Sequence, residues 1–306
     1  LIIESHIIIW FSRRKPLELR HFFSASITMS ENLASYEKTL KRVAAVINKK
    51  LPAQQAKLLT AFAQQYYNNV APEDLSTRPT EELYGVMLSH WEFLSQRAPG
   101  EVKLRIYNPK AEQHGWQSAH TVIEVVADDM PFLVDSLRME INREGFLTHF
   151  INHMGDIQVQ RDDKHQVIAV LAPDVKRTKD VSTEALVYIE IDKQSDPTVF
   201  TDLQNNLLRI INDVSLAVED WSKMRAHIQE ALVELEQNPP PLDPTDLEES
   251  KDFLRWLHSD HFTFLGSRDY DVISEGDKTI VRTVPGSGLG VLRDEGKSKE
   301  RAVSAM

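Results

Sequence analysis

The run Thr121-Val-Ile-Glu-Val-Val-Ala-Asp-Asp-Met-Pro-Phe-Leu-Val-Asp-Ser136 limits what this chain can fold into more than any other segment. Thr121 to Ala127 is apolar at nearly every position, as a strand covered on both faces requires. Asp128 and Asp129 mark a tight turn. Leu133, Val134, Leu137 and Ile141 then recur at helical spacing as far as Gly145. The run predicts a central strand, an acidic turn and a helix from Phe132 to Glu144. Asp128 and Asp129 are placed to accept the orphan N–H groups of that helix, and Pro131 suits its first turn.

The flanking residues extend the pattern. Val102, Leu104 and Ile106 alternate with Lys103, Arg105 and Tyr107, a half-exposed strand. Phe146 to Met154 reads as a strand, Gly155-Asp156 as a turn, and Ile157 to Gln160 and Val167 to Leu171 as two further strands. Val187, Ile189 and Ile191 alternate with polar residues. Pro197 starts a helix with Phe200, Leu203, Leu207 and Ile210 inward, and Val214, Leu216 and Val218 read as a last strand. Strand, helix, strands, helix, strand is the split βαβ order. It predicts the α+β class, with one antiparallel sheet and two helices on one face.

This unit occupies residues 101–237, ending with a helix from Trp221 to Glu236. Residues 29–100 form a helical region: Leu33, Tyr36, Leu40, Val43 and Ile47 share one helix face, Pro52 opens a second helix, and Thr80 is placed to cap a third. Asn238-Pro-Pro-Pro241 lies in a Pro-rich linker, 238–245. Residues 246–306 read as the start of a second α+β domain. They hold a helix from Leu247 to His258, strands at His261–Leu265, Arg268–Ile273 and Thr279–Val284, and a hairpin turn at Glu275-Gly-Asp277. Two or three strands are too little sheet for independent stability, so the polypeptide is expected to be cut inside that domain. The first methionine is Met29, and residues 1–28 are expected to be a non-native or disordered extension.

Charge and composition exclude several classes. A formal net charge of −11 in 306 residues disfavours nucleic acid and anionic membrane as partners. Cysteine is absent, so there is no disulfide and no thiolate ligand or nucleophile, which fits a cytoplasmic protein. The apolar stretch Leu1–Phe11 falls short of the roughly 20 residues that span a bilayer, and its basic residues follow it instead of preceding it as in a signal peptide.

Other constellations read as structure. Gly286-Ser-Gly-Leu-Gly290 follows a strand, but the third glycine of a dinucleotide fingerprint would fall at Val291, and a flexible turn explains it. His149 and His153 lie four apart on a strand with no third ligand, so no metal site is expected. His258 and His261 flank Asp260 at a helix-to-strand corner, where capping is the ordinary role. No Ser-His-Asp elbow appears, and the carboxylate pairs Asp128/Asp129 and Asp162/Asp163 sit in turns. Neither catalytic nor cofactor-binding residues are expected in this chain.

Asp129-Met-Pro-Phe-Leu-Val134 resembles the strand-to-helix signature Asp-x-Pro-Gly-Leu-Leu of ACT domains, split-βαβ modules that bind amino acids and regulate amino-acid enzymes. Phe132 stands where that signature has glycine, and its ring is expected to fill space that a ligand would use. Asp129–Ser136, Tyr188-Ile-Glu-Ile-Asp192, the string Phe253-Leu-Arg-Trp-Leu-His-Ser-Asp-His-Phe-Thr-Phe-Leu-Gly266 and Gly286–Gly290 occur together in that order. Over about Tyr36 to Arg293 they resemble the N-terminal part of the large bacterial NAD-specific glutamate dehydrogenases. That resemblance implies ACT-like domains ahead of a C-terminal catalytic region in the same polypeptide, with NAD as the cofactor of the whole enzyme. It also implies a homo-oligomer, and an amino-acid effector at residues 128–134 and the facing strand 147–153. The effector residues would be Asp128, Asp129, Met130, Phe132, His149 and Ile151. The alternative is a stand-alone ACT-like sensing or interaction module. A third reading is a nucleotide-binding enzyme using Gly286–Gly290.

Overall fold

A computed structural model describes residues 24–172, 181–275, 278–294 and 301–303. Most of the expected N-terminal extension, and Gly276 and Asp277 of the expected hairpin turn, lie outside the described residues. The described residues divide into two compact units, one ending at residue 211 and one beginning at residue 212, and the division falls within one helix.

In the first unit the order is α1 (Ser24–Lys50), α2 (Ala53–Tyr66), α3 (Pro72–Thr77), α4 (Thr80–Ser95), β1 (Lys103–Tyr107), α5 (Ala111–His114), β2 (Thr121–Asp128), α6 (Leu133–Arg143), β3 (Thr148–Arg161), β4 (Val167–Leu171) and β5 (Val181–Ile191). α7 (Pro197–Glu219) follows. The strands form one antiparallel sheet in the order β1-β2-β5-β3-β4. This is an α+β, ACT-like fold. β2 and β5 lie inside it, and every β2 residue from Thr121 to Ala127 is buried.

Strand parity assigns the two faces. Ile123, Val125 and Ala127 of β2, with Ala185, Val187, Ile189 and Ile191 of β5, pack against Leu133, Leu137 and Ile141 of α6 and Leu203, Leu207 and Ile211 of α7. These are the two helices expected on one face. The opposite face is covered as well: Val122, Val126, Met154, Ile157, Val159, Leu186 and Tyr188 share a core with Val43, Ile47, Leu59, Phe62, Tyr66, Leu83, Met87 and Leu94. The N-terminal helices are therefore a third layer on the same sheet. Gly85 admits this packing, because a Cβ there would lie 2.4 Å from Cβ of Trp116.

Several local expectations are corrected. Val214, Leu216 and Val218 belong to α7, not to a strand. The sheet edge beside β2 where such a strand would pair is already held by β1. Phe146 to Gln160 is not two strands about a turn. β3 is one strand with register shifts at Thr148/Phe150 and Met154/Ile157, and Asp156 takes φ 55° at the second. Thr80 is the first residue of α4 instead of its cap, and Pro79 precedes it without a side-chain cap. At α6 neither Asp128 nor Asp129 caps: the position before the helix is Phe132. The outer side of β4 is guarded, since Gln96 bridges Gln166 and the Gln65 side chain donates to the Leu171 carbonyl.

The second unit continues with α8 (Trp221–Gln237), α9 (Pro244–Trp256), β6 (Gly266–Ser267), β7 (Tyr270–Glu275), β8 (Lys278–Thr283), β9 (Leu289–Gly290) and β10 (Arg301–Val303). β7 and β8 pair as the expected hairpin and β10 joins β8, while β6 pairs with β9. His261 to Leu265 is not a strand. The chain leaves α9 through Leu257–His261, with Asp260 at φ 58°. The Gly286–Gly290 run is a packed turn. A Cβ on Gly288 would come 2.2 Å from the Leu292 carbonyl oxygen, and one on Gly290 equally close to that of Leu265. Asp220, fully buried, accepts from the Gly290 N–H at 2.8 Å and the Arg293 Nε at 2.9 Å, which fastens this turn to the start of α8.

Candidate functional site

The junction between β2 and α6 is built by the end of a buried strand. Asp129 donates its N–H to the Thr183 carbonyl at 3.1 Å, so β5 holds the turn in place. Asp128 accepts from Arg97 Nη2 at 2.7 Å, and Arg97 Nη1 lies 3.3 Å from Glu184 Oε1. The Arg97 and Glu184 side chains are each only 1% exposed, so this ion pair is inside the protein. Arg161 completes it with two 2.9 Å bonds to Glu184.

Phe132 takes φ 67°, the left-handed region in which a Cβ is strained. Glycine suits this place for its backbone, which gives the ACT signature its physical basis. The Phe132 ring is 53% exposed. Met130 is partly buried against the α6–α7 core.

β3 reaches the junction at a different level from the one expected. Asp128 and Ile157 are both opposite Glu184, whereas Thr121 and Thr148 are both opposite Ile191. Seven residues of strand, roughly 23 Å, separate these two ends. Asp128, Asp129, Met130 and Phe132 therefore come together, while His149 lies at the far end of the sheet and Ile151 towards it, opposite Ile189. Of the expected strand 147–153 it is the end, His153, that approaches the turn, together with Gly155. A Cβ on Gly155 would be 3.1 Å from Asp129 Oδ1 and 3.3 Å from His153 Nε2, so this glycine leaves a gap between the two side chains. Burial holds His153 below the ordinary histidine value, opposed by the charges of Asp129 and Asp135. The side chain of Gln158, opposite Thr183, is buried with its Oε1 lacking a hydrogen-bond partner.

The junction thus presents an exposed carboxylate, Asp129, beside the first turn of α6, whose N–H groups carry no side-chain cap. That pair suits a small zwitterion, with its ammonium towards the carboxylate and its carboxylate towards the helix N-terminus. Sequence reading missed Arg97 and Gly155, and named His153 only as part of the facing strand 147–153. Glu124, Glu184 and Glu190 were the available signal, because each places a charge at a core-facing position of a buried strand, and each is met by an arginine. His149 belongs elsewhere: its Nε2 is 2.7 Å from Asp192 Oδ1. At the other histidine pair, the His261 ring is bonded to the Trp256 carbonyl and the His258 main-chain carbonyl accepts from Arg225. Among the described residues there is no group of three or more metal-ligating side chains, and no helix is long and apolar enough to cross a membrane.

Residues 62–207 match the family described as glutamate dehydrogenase, ACT1 domain. The matched segment runs from α2 to α7 and contains the whole sheet and the junction. The NAD-specific glutamate dehydrogenase of Halomonas elongata is 39% identical over 264 residues, which are 86% of this chain and 16% of that protein. That of Pseudomonas aeruginosa is 36% identical over 219 residues, 72% of this chain and 13% of the relative. A protein of the same name from Mycobacterium tuberculosis is 24% identical over 235 residues, 74% of this chain and 14% of its own length. The chain thus spans about a sixth or less of the curated relatives it matches.

Proposed function

The chain belongs to the NAD-specific glutamate dehydrogenase family, and from that premise we propose that it is the regulatory and assembly segment of such an enzyme. The whole polypeptide oxidises L-glutamate with NAD and water to 2-oxoglutarate, ammonia and NADH. Its catalytic region and NAD site lie elsewhere in the same polypeptide, in the cytoplasm, and this segment makes contacts between subunits of a homo-oligomer. Exposed Phe132, Met139 and Leu147 on the α6 side support that last role.

The observation that carries the reading is the ACT1 match laid over the β2–α6 junction. An amino-acid effector binds there, with its ammonium group at Asp129 and its carboxylate at the N–H groups of Leu133 and Val134. Two measurements test this. The isolated chain mixed with glutamate and NAD is expected to produce no NADH, and steady turnover would overturn the segment reading. A panel of amino acids is expected to contain at least one that raises the melting temperature with the logarithm of its free concentration above Kd, by the equivalent of about 2.7 kcal/mol at a hundred times Kd. Asp129→Asn is expected to abolish that shift. A flat response to the whole panel would leave the junction a purely structural corner.

A further inference from the structure

α9 has one covered side and one bare side. Leu247, Lys251 and Leu254 recur at spacings of four and three, are buried or half-buried, and mark the covered side of a helix that packs on α8. Glu249, Asp252, Phe253 and Trp256 recur in the same way on the other side, and all are exposed. Phe253 and Trp256 are 53% and 45% exposed, although both are residue types that cores usually take up. Their rings stack with centroids 6.1 Å apart and planes at 15°. The His261 ring continues the stack on Trp256, at 5.2 Å and 13°. Asp260, at φ 58°, turns the chain back there, and His261 Nδ1 donates to the Trp256 carbonyl oxygen at 3.0 Å. Three nearly parallel rings are thus ordered at the surface by contacts within the unit itself.

Carboxylates surround the rings. From Asp243 to His261 the chain carries six carboxylates against two cations, Lys251 and Arg255. Arg255 meets Asp252 and Glu248, and Arg225 meets Asp260, but all three carboxylates stay mostly exposed. Surface pairs of this kind contribute little, so a partner's cation can replace one at small cost. An apolar partner laid on the rings would strip water from Glu249 and Asp252 beside them and offer nothing in return. A cation satisfies both the rings and the carboxylates. Guanidinium does so best, because it is planar, stacks on aromatic faces and reaches a carboxylate with two parallel N–H donors.

We propose that this face of α9 docks a basic, arginine-bearing segment of a partner protein. Its guanidinium groups stack on Phe253 and Trp256, and Glu249 and Asp252 accept from their N–H groups. The face selects its partner by charge and by planar shape together.

The test is isothermal titration of the 306-residue chain with capped hexa-arginine and hexalysine peptides at physiological salt. Hexa-arginine is expected to bind about fivefold more tightly than hexalysine and to shift the Trp256 indole resonance. Trp256→Ser and Phe253→Ser each remove an exposed ring and are expected to keep the melting temperature of the parent chain. Their affinity for hexa-arginine is expected to fall to that for hexalysine. Equal affinity of the parent chain for the two peptides would overturn the proposal. So would undiminished hexa-arginine binding by both variants, which would put the contact elsewhere on an acidic surface. Self-association of the chain that Trp256→Ser abolishes would give the face to a second copy instead.

Discussion

Phe132 shows what a single residue can reveal about backbone demand. A left-handed conformation costs a residue with a Cβ about 1 kcal/mol relative to glycine. The usual ranking of alanine above glycine near a helix should therefore reverse here. Phe132→Gly is expected to be more stable than Phe132→Ala by about 1 kcal/mol, read from denaturant midpoints, since both variants remove the same ring. His90 is the second informative residue. Its Nδ1 is 3.0 Å from the Tyr66 hydroxyl and its Nε2 is 3.2 Å from the Val125 carbonyl oxygen. A carbonyl only accepts, so Nε2 carries the proton and Tyr66 donates to Nδ1. Burial drives His90 down to about 3, against the pull of the Val125 carbonyl and with help from the Arg105 charge. A histidine kept neutral in the fold stabilises it above the unfolded value near 6.5, and that stability is lost as pH falls towards the folded value. Stability should drop by about 2 kcal/mol from this group alone between pH 7 and pH 5. Chemical denaturation of the chain and of His90→Gln at both pH values measures it, and an equal pH dependence in the two proteins would refute the assignment.

Among the elements, the sheet face that α2–α4 cover carries buried ion pairs as well as apolar packing. Glu124 meets Arg105, Glu184 meets Arg97 and Arg161, and Glu190 meets Arg78, all on that face. Removing one partner of a buried pair strands the other charge in a low dielectric, which typically costs 3–5 kcal/mol. Arg97→Met is expected to fall in or near that range. Glu184 keeps Arg161, so the cost should sit towards the lower end, about 3 kcal/mol. A loss below about 1 kcal/mol would show that Arg161 alone satisfies Glu184. Element-level reading of the sequence succeeded where periodicity was long and punctuated. β2, α6 and β4 stand within a residue of the expected Thr121–Ala127, Phe132–Glu144 and Val167–Leu171. It failed at Val214–Val218, where a short alternation imitates a strand although no breaker separates it from the preceding helical stripe.

For the whole molecule, the two units differ in how much apolar surface they bury. Between residues 212 and 294 the buried apolar side chains are Ala217, Met224, Leu232 and Leu257, while Phe253, Trp256, Leu265, Tyr270 and Val272 are exposed. Polar fastening has a larger share there, above all the buried Asp220. The bond from Arg293 holds its carboxyl well below the ordinary range, with the Gly290 N–H and Lys223 adding to it against burial. A depressed carboxylate stabilises the fold above its unfolded value near 4 and loses that contribution as pH falls below it. Amides of residues 220–294 should therefore exchange faster than those of β2 and β5 at neutral pH. Asp220→Asn should raise exchange around Gly290 and Arg293 without changing β2. Uniform exchange across both units would contradict this. The sequence by itself determined the α+β class, the strand–turn–helix at Asp128–Ser136 and the family resemblance, because burial periodicity and turn chemistry are local in the chain. Only the tertiary structure decided that the N-terminal helices cover the second face of the sheet. It also decided that β3 meets the junction at His153 and Gly155, and that His149 pairs with Asp192 at the other end. Those facts depend on strand order and register, which arise from contacts between residues far apart in the chain and leave no periodic trace in it.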